Sequence, residues 1–229
     1  MIIPCIDLMD GKVVQLVQGR EKALEGDSPL KMLGRFSAFP EIQVIDLNAA
    51  IGNGENSELV ELLTSRARCR VGGGVRTAER ARRLLDQGAY RVIVGTAAFT
   101  PALQEISAAV GAERIIVALD SKDGKIVVKG WREATAFTAE EVIGRLEPFC
   151  SGFLCTYVDR EGMLQGTDLA WFRRLRAATS HEITAAGGIT TIEEIRELQS
   201  MGVHAALGMA IYTGRLDLTE LSNLSSARH

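Results

Sequence analysis

The amino-acid sequence predicts an α/β fold, a single (β/α)8 TIM barrel built from two duplicated (β/α)4 half-barrels. Three observations lead to this prediction: a motif occurs twice at half-chain spacing, eight apolar runs alternate with helix-like stretches, and no linker separates the halves. Alternating strands and helices indicate a parallel sheet, and a duplicated set of four units closes most simply as an eightfold barrel. We therefore expect one domain over residues 1–229, with half-barrels of about 1–113 and 114–229.

The repeated motif spans residues 6–14 and returns at residues 119–127. Each copy is an apolar run that ends in Asp, followed by a turn with Gly and a second short apolar run. At a spacing of 113 residues, identical residues recur for Asp7, Asp10, Gly11, Lys12 and Val14. Because this spacing is half the chain, the pattern indicates one structural unit used twice.

The barrel strands are predicted at eight short apolar runs. These are Ile2–Ile6, Ile42–Leu47, Cys69–Val71, Arg91–Val94, Arg114–Leu119, Gly152–Val158, Glu182–Ala185 and His204–Leu207. Between them, apolar residues recur at helical spacing, as at Leu59, Leu62 and Leu63. A capping box over Thr191–Glu194 predicts the start of one such helix.

Composition excludes several classes of partner. The chain has 26 Lys and Arg against 29 Asp and Glu, a net charge of −3, without a long basic block. We therefore expect neither nucleic acid nor an anionic membrane as a partner. The first residues lack the charged and long apolar regions of a signal peptide, and no apolar run reaches the length of a membrane span. These features predict a cytoplasmic protein.

Cysteine and histidine usage argues against a metal or redox site. The cysteines are Cys5, Cys69, Cys150 and Cys155, without Cys-x-x-Cys spacing, and we expect buried free thiols. The three histidines, His181, His204 and His229, lack metal-ligand spacing. The chemistry is therefore expected to rest on carboxylates, hydroxyls and the backbone.

Two aspartates are the first candidate functional residues. Asp7 and Asp120 end the first and fifth predicted strands, where barrel active sites gather. A carboxylate at the end of a buried strand is costly unless it is hydrogen-bonded, exposed to a cleft or used. Either residue alone could be a turn or cap aspartate. Two at equivalent places of a repeat face each other across the barrel mouth, which favours a functional role.

Glycine runs recur with nearly the same spacing and predict phosphate sites. The matched residues are Gly73 and Gly74 with Gly187 and Gly188, Gly95 with Gly208, and Asp46 with Asp159. Glycine lets backbone N–H groups approach an oxyanion, and a helix N-terminus adds positive potential. One Gly-Gly pair is more often a tight turn, but the matched set predicts one phosphate site per half. The ligand is therefore expected to carry a phosphate at each end.

Seven segments carry a resemblance that covers essentially the whole chain. They are Ile3–Leu8, Gly11–Val14, Gly72–Arg76, Val117–Asp120, Lys129–Trp131, Asp159–Gly166 and Ala186–Ile189. Together they resemble the phosphoribosylformimino-aminoimidazole carboxamide ribotide isomerases of histidine biosynthesis. That family catalyses an Amadori rearrangement of an aminoaldose to an aminoketose, without a metal or organic cofactor. The resemblance implies a small bisphosphorylated substrate and a monomeric enzyme.

The resemblance also implies roles for individual residues. Asp7 is expected to be the general base, Asp120 the general acid and Thr156 a helper, although Thr156 could equally be a strand residue that satisfies its own hydroxyl. Trp131 is expected to cover the substrate ring, with a hydrophobic anchor as the alternative. Substrate and phosphate contacts are expected from Gly73, Gly74, Gly95, Thr96, Trp131, Gly187, Gly188, Gly208 and Met209.

Three alternative functions stay open. The cyclase subunit of imidazole glycerol phosphate synthase shares the duplication and both aspartates, but typically has Lys where this chain has Gln15. Some relatives of the isomerases also act on phosphoribosylanthranilate. A catalytically silent phosphosugar-binding barrel is the third, although such a protein gains nothing from two buried carboxylates.

Three places depart from the isomerase pattern or stay unassigned. Many isomerases have Arg at Gln15 and Lys or Arg at Met209, two positions that bear on individual phosphate or carboxamide contacts. The segment Arg20–Asp27, after Gly19, is expected to be a mobile first loop, and its residues have no assigned role.

Overall fold

The computed structural model describes residues 1–17 and 21–226 of the chain. The described strands are β1 (Ile2–Met9), β2 (Lys12–Val17), β3 (Glu21–Glu25), β4 (Ile42–Asp46), β5 (Cys69–Gly72), β6 (Arg91–Val94), β7 (Ile115–Lys122), β8 (Lys125–Val128), β9 (Glu133–Ala134), β10 (Gly152–Tyr157), β11 (Glu182–Ala186) and β12 (Val203–Leu207). The described α-helices are α1 (Pro29–Arg35), α2 (Leu47–Ile51), α3 (Ser57–Thr64), α4 (Ala78–Asp86), α5 (Ala102–Val110), α6 (Ala139–Leu146), α7 (Leu169–Ala178), α8 (Ile192–Ser200), α9 (Met209–Tyr212) and α10 (Leu218–Ser226). Within these residues, no helix is both long and apolar enough to cross a membrane.

Eight of the strands close into a parallel barrel in the order β1, β4, β5, β6, β7, β10, β11, β12 and back to β1. The predicted (β/α)8 barrel and all eight predicted strands are therefore confirmed. The strands are rich in Val and Ile and buried on both faces, as every residue of β6 is, which is typical of parallel sheets. β1 and β7 each run three residues beyond their predicted ends, because each continues into a hairpin.

The Asp-Gly pair of the repeated motif forms the turn of each hairpin. Asp10 and Gly11 have φ of 51° and 76° between β1 and β2, and Asp123 and Gly124 have 49° and 74° between β7 and β8. Positive φ at both central residues defines the type I′ turn that joins antiparallel strands. This part of the repeat therefore has a structural cause, separate from any role of Asp7 and Asp120.

The expected first loop is partly a strand. Arg20, like Gly19, lies outside the described residues, whereas Glu21–Glu25 forms β3 and pairs antiparallel with β2. Within the segment that the sequence suggested as a loop, Glu21–Glu25 is therefore a strand paired with β2.

Strand register corrects one pairing of the repeat. The common spacing aligned Asp46 with Asp159, but Asp7 lies beside Ile45 and Asp120 lies beside Thr156. Ile45 is therefore the counterpart of Thr156, and counting on from each strand makes Asn48 the counterpart of Asp159. The hydrogen bonds agree, because the N–H of Asp10 donates to Asn48 Oδ1 at 2.8 Å and the N–H of Asp123 donates to Asp159 Oδ2 at 3.0 Å. The first half has two more residues between these strands, which a single spacing misses.

A network of charged side chains closes the N-terminal end of the barrel. Arg70 is fully buried and contacts Glu41 Oε1 at 2.5 Å, Glu182 Oε1 at 3.0 Å and Thr184 Oγ1 at 2.8 Å. Arg91 joins the same two glutamates. An apolar layer lies above this network and separates it from the barrel mouth; it consists of Cys5, Ile93, Ile116, Leu154 and Ala206.

Candidate active site

A cavity of about 1150 Å³ opens at the C-terminal ends of the barrel strands. All twelve site residues expected from the sequence line it: Asp7, Gly73, Gly74, Gly95, Thr96, Asp120, Trp131, Thr156, Gly187, Gly188, Gly208 and Met209. Its volume exceeds that of a typical small-ligand pocket, which suits an elongated ligand. The fold thus brings the separated motifs to one site.

Asp7 ends the inward face of β1 without a polar neighbour on the adjacent strand. It is half-buried, and its register partner on β4 is the apolar Ile45. Burial alone raises the pKa of Asp7 to about 7. A carboxylate whose pKa lies near neutrality can both take and return a proton at physiological pH, as a general base must.

Asp120 holds the equivalent place on β7 but has two hydrogen-bond donors. Burial raises its pKa, while hydrogen bonds from the Thr156 hydroxyl and the Trp131 indole oppose that rise. The Trp131 Nε1 to Asp120 Oδ2 distance is 2.8 Å, and Thr156 is the register partner of Asp120 on β10. The two aspartates therefore have different surroundings, because Thr156 stands where the first half has Ile45.

Glu161 is a third carboxyl in the cavity that the sequence analysis missed as a site residue. Burial, followed by the charges of Asp7 and Asp120, raises its pKa to about 8. At neutral pH the carboxyl is therefore mostly protonated and can donate a proton. The sequence feature that could have indicated Glu161 is its position in the loop after β10, two residues beyond Asp159.

The loop that carries Glu161 packs closely against β2. Gly162 has φ of +71°, and a Cβ there would lie 2.7 Å from the Leu16 carbonyl oxygen and 2.9 Å from Val17 Cα. Only glycine fits this approach without a shift of the backbone. Close packing against β2 thus fixes the position of the loop that carries Glu161.

The loop residues Lys129, Gly130 and Trp131 all adopt positive φ, of 54°, 66° and 65°. Left-handed backbone at two non-glycine residues is strained, and such strain clusters at functional sites. The N–H of Lys129 donates to Thr96 Oγ1 at 2.8 Å, while the Trp131 indole contacts Asp120. The loop therefore spans from the Gly95–Thr96 segment to one of the two aspartates.

The matched glycine pairs have equivalent conformations in the two halves. Gly73 and Gly187 have φ of 107° and 93°, and a Cβ on either would clash with the backbone carbonyl of Asp46 or Tyr157, respectively. Packing alone thus requires glycine at these two positions. The following helices α4 and α8 begin with Thr caps, and α8 has the predicted capping box.

Gly95 and Gly208 also match each other, with φ and ψ of −93° and −110° for Gly95 and −114° and −100° for Gly208. The free space next to the two glycines differs. No described atom lies within 4 Å of a Cβ placed on Gly95, whereas Gln15 Oε1 lies 2.5 Å from one placed on Gly208. Gln15 is buried and donates from Nε2 to the Val14 carbonyl at 2.9 Å. The second loop is therefore partly covered by Gln15, and Met209 beside it is also buried.

Neither metal nor thiol chemistry has support in the described ranges. No group of three or more His, Cys, Asp or Glu side chains there is arranged to hold a metal ion. The four cysteines are buried and free, as expected. Burial raises the pKa of the Cys5, Cys69, Cys150 and Cys155 thiols, which keeps them protonated and poorly nucleophilic.

Comparison with known proteins identifies the family. The family profile described as "Histidine biosynthesis protein" matches residues 1–217. The chain belongs to the histidine biosynthesis protein family. The matched range of this family includes every residue that lines the cavity, whereas α10 lies beyond it.

Family members with high similarity share one name, 1-(5-phosphoribosyl)-5-((5-phosphoribosylamino)methylideneamino)imidazole-4-carboxamide isomerase. The protein of this name from Methanothermobacter thermautotrophicus is 40% identical, with 96% of each chain covered. Those from Methanocaldococcus jannaschii and Myxococcus xanthus are 37% and 38% identical, with 95% and 96% of this chain covered and 96% and 97% of theirs. The similarity to these isomerases of the histidine biosynthesis family thus extends over nearly the full length of both partners.

Proposed function

We propose that this chain is the aldose–ketose isomerase of histidine biosynthesis that converts phosphoribosylformimino-aminoimidazole carboxamide ribotide from its aminoaldose to its aminoketose form (ProFAR to PRFAR). The observation that carries the proposal is the arrangement of the cavity. Two strand-end aspartates line a single mouth, between the glycine loops of the two halves. The isomerase name of the relatives supports the same reaction.

The reaction moves protons within one sugar and neither gains nor loses atoms. An acid first donates a proton to the ring oxygen while the C1–O bond breaks and the nitrogen lone pair forms a double bond to C1, which opens the furanose to a protonated imine. A base then removes the proton from C2, giving an enolamine. Return of a proton to C1 and loss of one from the C2 hydroxyl give the ketose. The enzyme therefore needs a carboxylate and a carboxylic acid on opposite sides of the sugar.

Asp7 is the proposed base and Asp120 the proposed acid, with Thr156 as helper. Among the described residues no donor stabilises the charge of the desolvated Asp7, and burial raises its basicity. Thr156 holds Asp120 from the adjacent strand, and Trp131 covers it. A second candidate acid is Glu161, because the raised pKa of about 8 keeps its proton at neutral pH. The turnover of Asp120→Asn and that of Glu161→Gln decide between the two candidate acids.

The two phosphates of the substrate are proposed to bind at the two glycine loops. Gly73, Gly74, Gly95 and Thr96 serve one end, and Gly187, Gly188, Gly208 and Met209 serve the other. All groups of this mechanism come from one chain, which supports action as a monomer without a protein partner. The same proposal includes a cytoplasmic location and no requirement for a cofactor.

The rival reaction on the same fold is the ammonia-dependent cyclisation. A cationic side chain is typical of the cyclase at the position of Gln15, which is instead a neutral amide that packs over Gly208. The purified protein should therefore form aminoketose from aminoaldose with no ammonia or glutaminase present. In deuterium oxide the aminoketose should carry deuterium at C1, where a proton is returned after the C2 proton is removed. Consumption of the ketose together with ammonia, with the aminoaldose untouched, would replace the isomerase with the cyclase.

Two narrower alternatives need one further assay each. Phosphoribosylanthranilate should be offered to the same preparation, since turnover would show dual specificity. A silent phosphosugar-binding barrel would bind the aminoaldose without converting it. The raised pKa values of Asp7 and Glu161 favour catalysis, because carboxyls that titrate near neutral pH can exchange protons with a substrate, which a protein that only binds does not need.

A further inference from the structure

The floor of the cavity contains a buried amide on one side only. Gln43 points inward from β4, is 5% exposed and lines the cavity. Its register partner on β1 is Cys5, two residues before Asp7, so Gln43 lies about 6.6 Å below the level of Asp7 along the strand. The amide is therefore one layer beneath the proposed base.

One atom of this amide has no partner in the described residues. Gln43 Nε2 donates to Cys5 Sγ at 3.5 Å, while Oε1 accepts no hydrogen bond. The cluster of floor side chains beside it is apolar, and Arg70, the register partner of Gln43 on β5, donates to Glu41, Thr184 and Glu182 instead. A buried acceptor without a donor is unfavourable, and such groups in native proteins usually have a partner that binds there. The carbonyl is thus available to a donor on a ligand.

The other half of the barrel has no such acceptor. Gln43 lies beside Cys5 just as Leu154 lies beside Ala118, so Leu154 is its counterpart in the second half. Leu154 is 5% exposed and belongs to the apolar floor. The cavity is nearly twofold symmetric at its rim, where the glycine loops match, but polar on one side and apolar on the other at its floor.

We propose that Gln43 determines the orientation of the substrate, by accepting a hydrogen bond from a hydroxyl of the sugar that is opened. A ligand with a phosphoribosyl group at each end can span the two glycine loops in two directions. Only one direction places the sugar that is opened over Gln43, between the base and the acid. In that direction a hydroxyl of this sugar pairs with Gln43 Oε1, whereas the reversed ligand leaves the buried carbonyl unpaired. This inference rests on the proposed isomerase function.

The test moves the acceptor to the other half. Gln43→Leu alone removes the preference, so kcat should fall to about half while KM rises about two- to tenfold through the lost hydrogen bond. The exchanged variant Gln43→Leu/Leu154→Gln should bind the ligand more tightly in the reversed direction. Its KM should return to within about twofold of the wild-type value, while kcat falls about 5- to 150-fold, because the unpaired acceptor now penalises the productive direction.

Restored KM together with lower kcat distinguishes misdirected binding from damage to the cavity. A KM in the exchanged variant as high as in Gln43→Leu, or a kcat equal to that of Gln43→Leu, would overturn the inference. If thermal unfolding shows that the exchanged variant is not folded, Leu154→Gln alone decides: kcat should halve with no rise in KM, and an unchanged kcat contradicts the proposal. Ile116→Val, in the same apolar layer but not lining the cavity, controls for altered packing.

Failure of this inference is separable from failure of the proposed function. If the wild-type protein forms no aminoketose from aminoaldose, the proposed function fails. If the wild type is active and the exchanged variant lacks the expected kinetic signature, only the role of Gln43 fails.

Discussion

The indole of Trp131 is hydrogen-bonded directly to the carboxyl of Asp120, with 2.8 Å between Nε1 and Oδ2. The contact links the strained loop at the barrel mouth to one of the two strand-end aspartates. It also opposes the effect of burial on the pKa of Asp120. Trp131 therefore has a chemical connection to the site in addition to its apolar surface.

Replacing Trp131 should separate these two contributions. Trp131→Phe keeps a ring but removes the donor, so the pKa of Asp120 should rise and the pH limb of kcat that belongs to Asp120 should move to higher pH. Trp131→Ala also removes the cover, and kcat and KM should both worsen. The measurement is the pH profile of each variant. Trp171→Phe, in the buried face of α7, should leave the profile unchanged.

The carboxyl variants should assign the proton-transfer roles. Asp7→Asn and Asp120→Asn should each lower kcat by about 10²–10⁴-fold with little change in KM, since proton transfer by a positioned side chain is typically worth that much. Near-normal turnover of either variant removes that residue from the chemistry. If Glu161→Gln is impaired to this degree and Asp120→Asn is not, Glu161 is the acid.

The raised pKa of Asp7 predicts opposite pH effects on activity and stability. As a base, Asp7 must be ionised, so kcat/KM should rise as pH increases through about 7. The folded state binds this proton more tightly than the unfolded state, so the ionised group destabilises the fold as pH rises from about 4 to 7. Asp7→Asn should therefore raise Tm at pH 8, by about 2–4 °C for each kcal/mol relieved, and have little effect at pH 4. Equal Tm differences at both pH values would contradict this.

The glycines of the proposed phosphate loops should respond differently to alanine. Gly95→Ala adds a methyl group that lies within 4 Å of no described atom, so it should not displace a neighbouring residue. The methyl group would occupy the anion position, and KM should rise about tenfold, equivalent to about 1.4 kcal/mol. Gly73→Ala should instead lower the free energy of unfolding, because φ of Gly73 is +107° and the added Cβ would clash with the backbone carbonyl of Asp46. Wild-type crystals soaked in phosphate or sulfate should show an anion at both loops. An anion at one loop only would contradict the prediction of two equivalent phosphate sites.

The charged network under the barrel should make the protein sensitive to acid. Burial raises the pKa of Glu182, but hydrogen bonding from His204 and the charges of Arg70 and Arg91 outweigh it, so the pKa lies well below its usual range. A lowered pKa contributes stability above about pH 4, which is lost as the pH falls further. Glu182→Gln should cost about 3–5 kcal/mol at pH 7, because it leaves buried arginine charge uncompensated. Its Tm should also fall less between pH 5 and pH 3 than that of the wild type, as followed by circular dichroism.

The sequence predicted those features that repeat or that follow directly from local pattern. The eight strands were visible because β4, β6 and the others are short apolar runs bounded by polar or glycine residues. Placing Asp7 and Asp120 at strand ends was enough to predict that they share one mouth, since parallel strands bring their C-terminal ends to one edge. The Asp-Gly pairs predicted turns in the same way.

Features that depend on distances between separate elements were not predictable. Glu161 looked like part of a loop motif, and its raised pKa arises only because folding brings Asp7 and Asp120 near it. The pairing of Asp46 with Asp159 failed because the halves differ by two residues between strands, which register shows and spacing does not. Gln43 is visible in the sequence as an amide between apolar residues of β4, but the missing partner of its carbonyl is a property of the packed floor.

The charged network also determines which half-barrels can associate with each other. The first half contributes Arg70, Arg91 and Glu41, and the second contributes Glu182. A pair of first halves would enclose four arginines against two glutamates, whereas a pair of second halves would enclose glutamates without arginine. If the chain were cleaved between the halves, the fragments would therefore recombine as unlike pairs. The two sets of four strands are therefore complementary and not interchangeable.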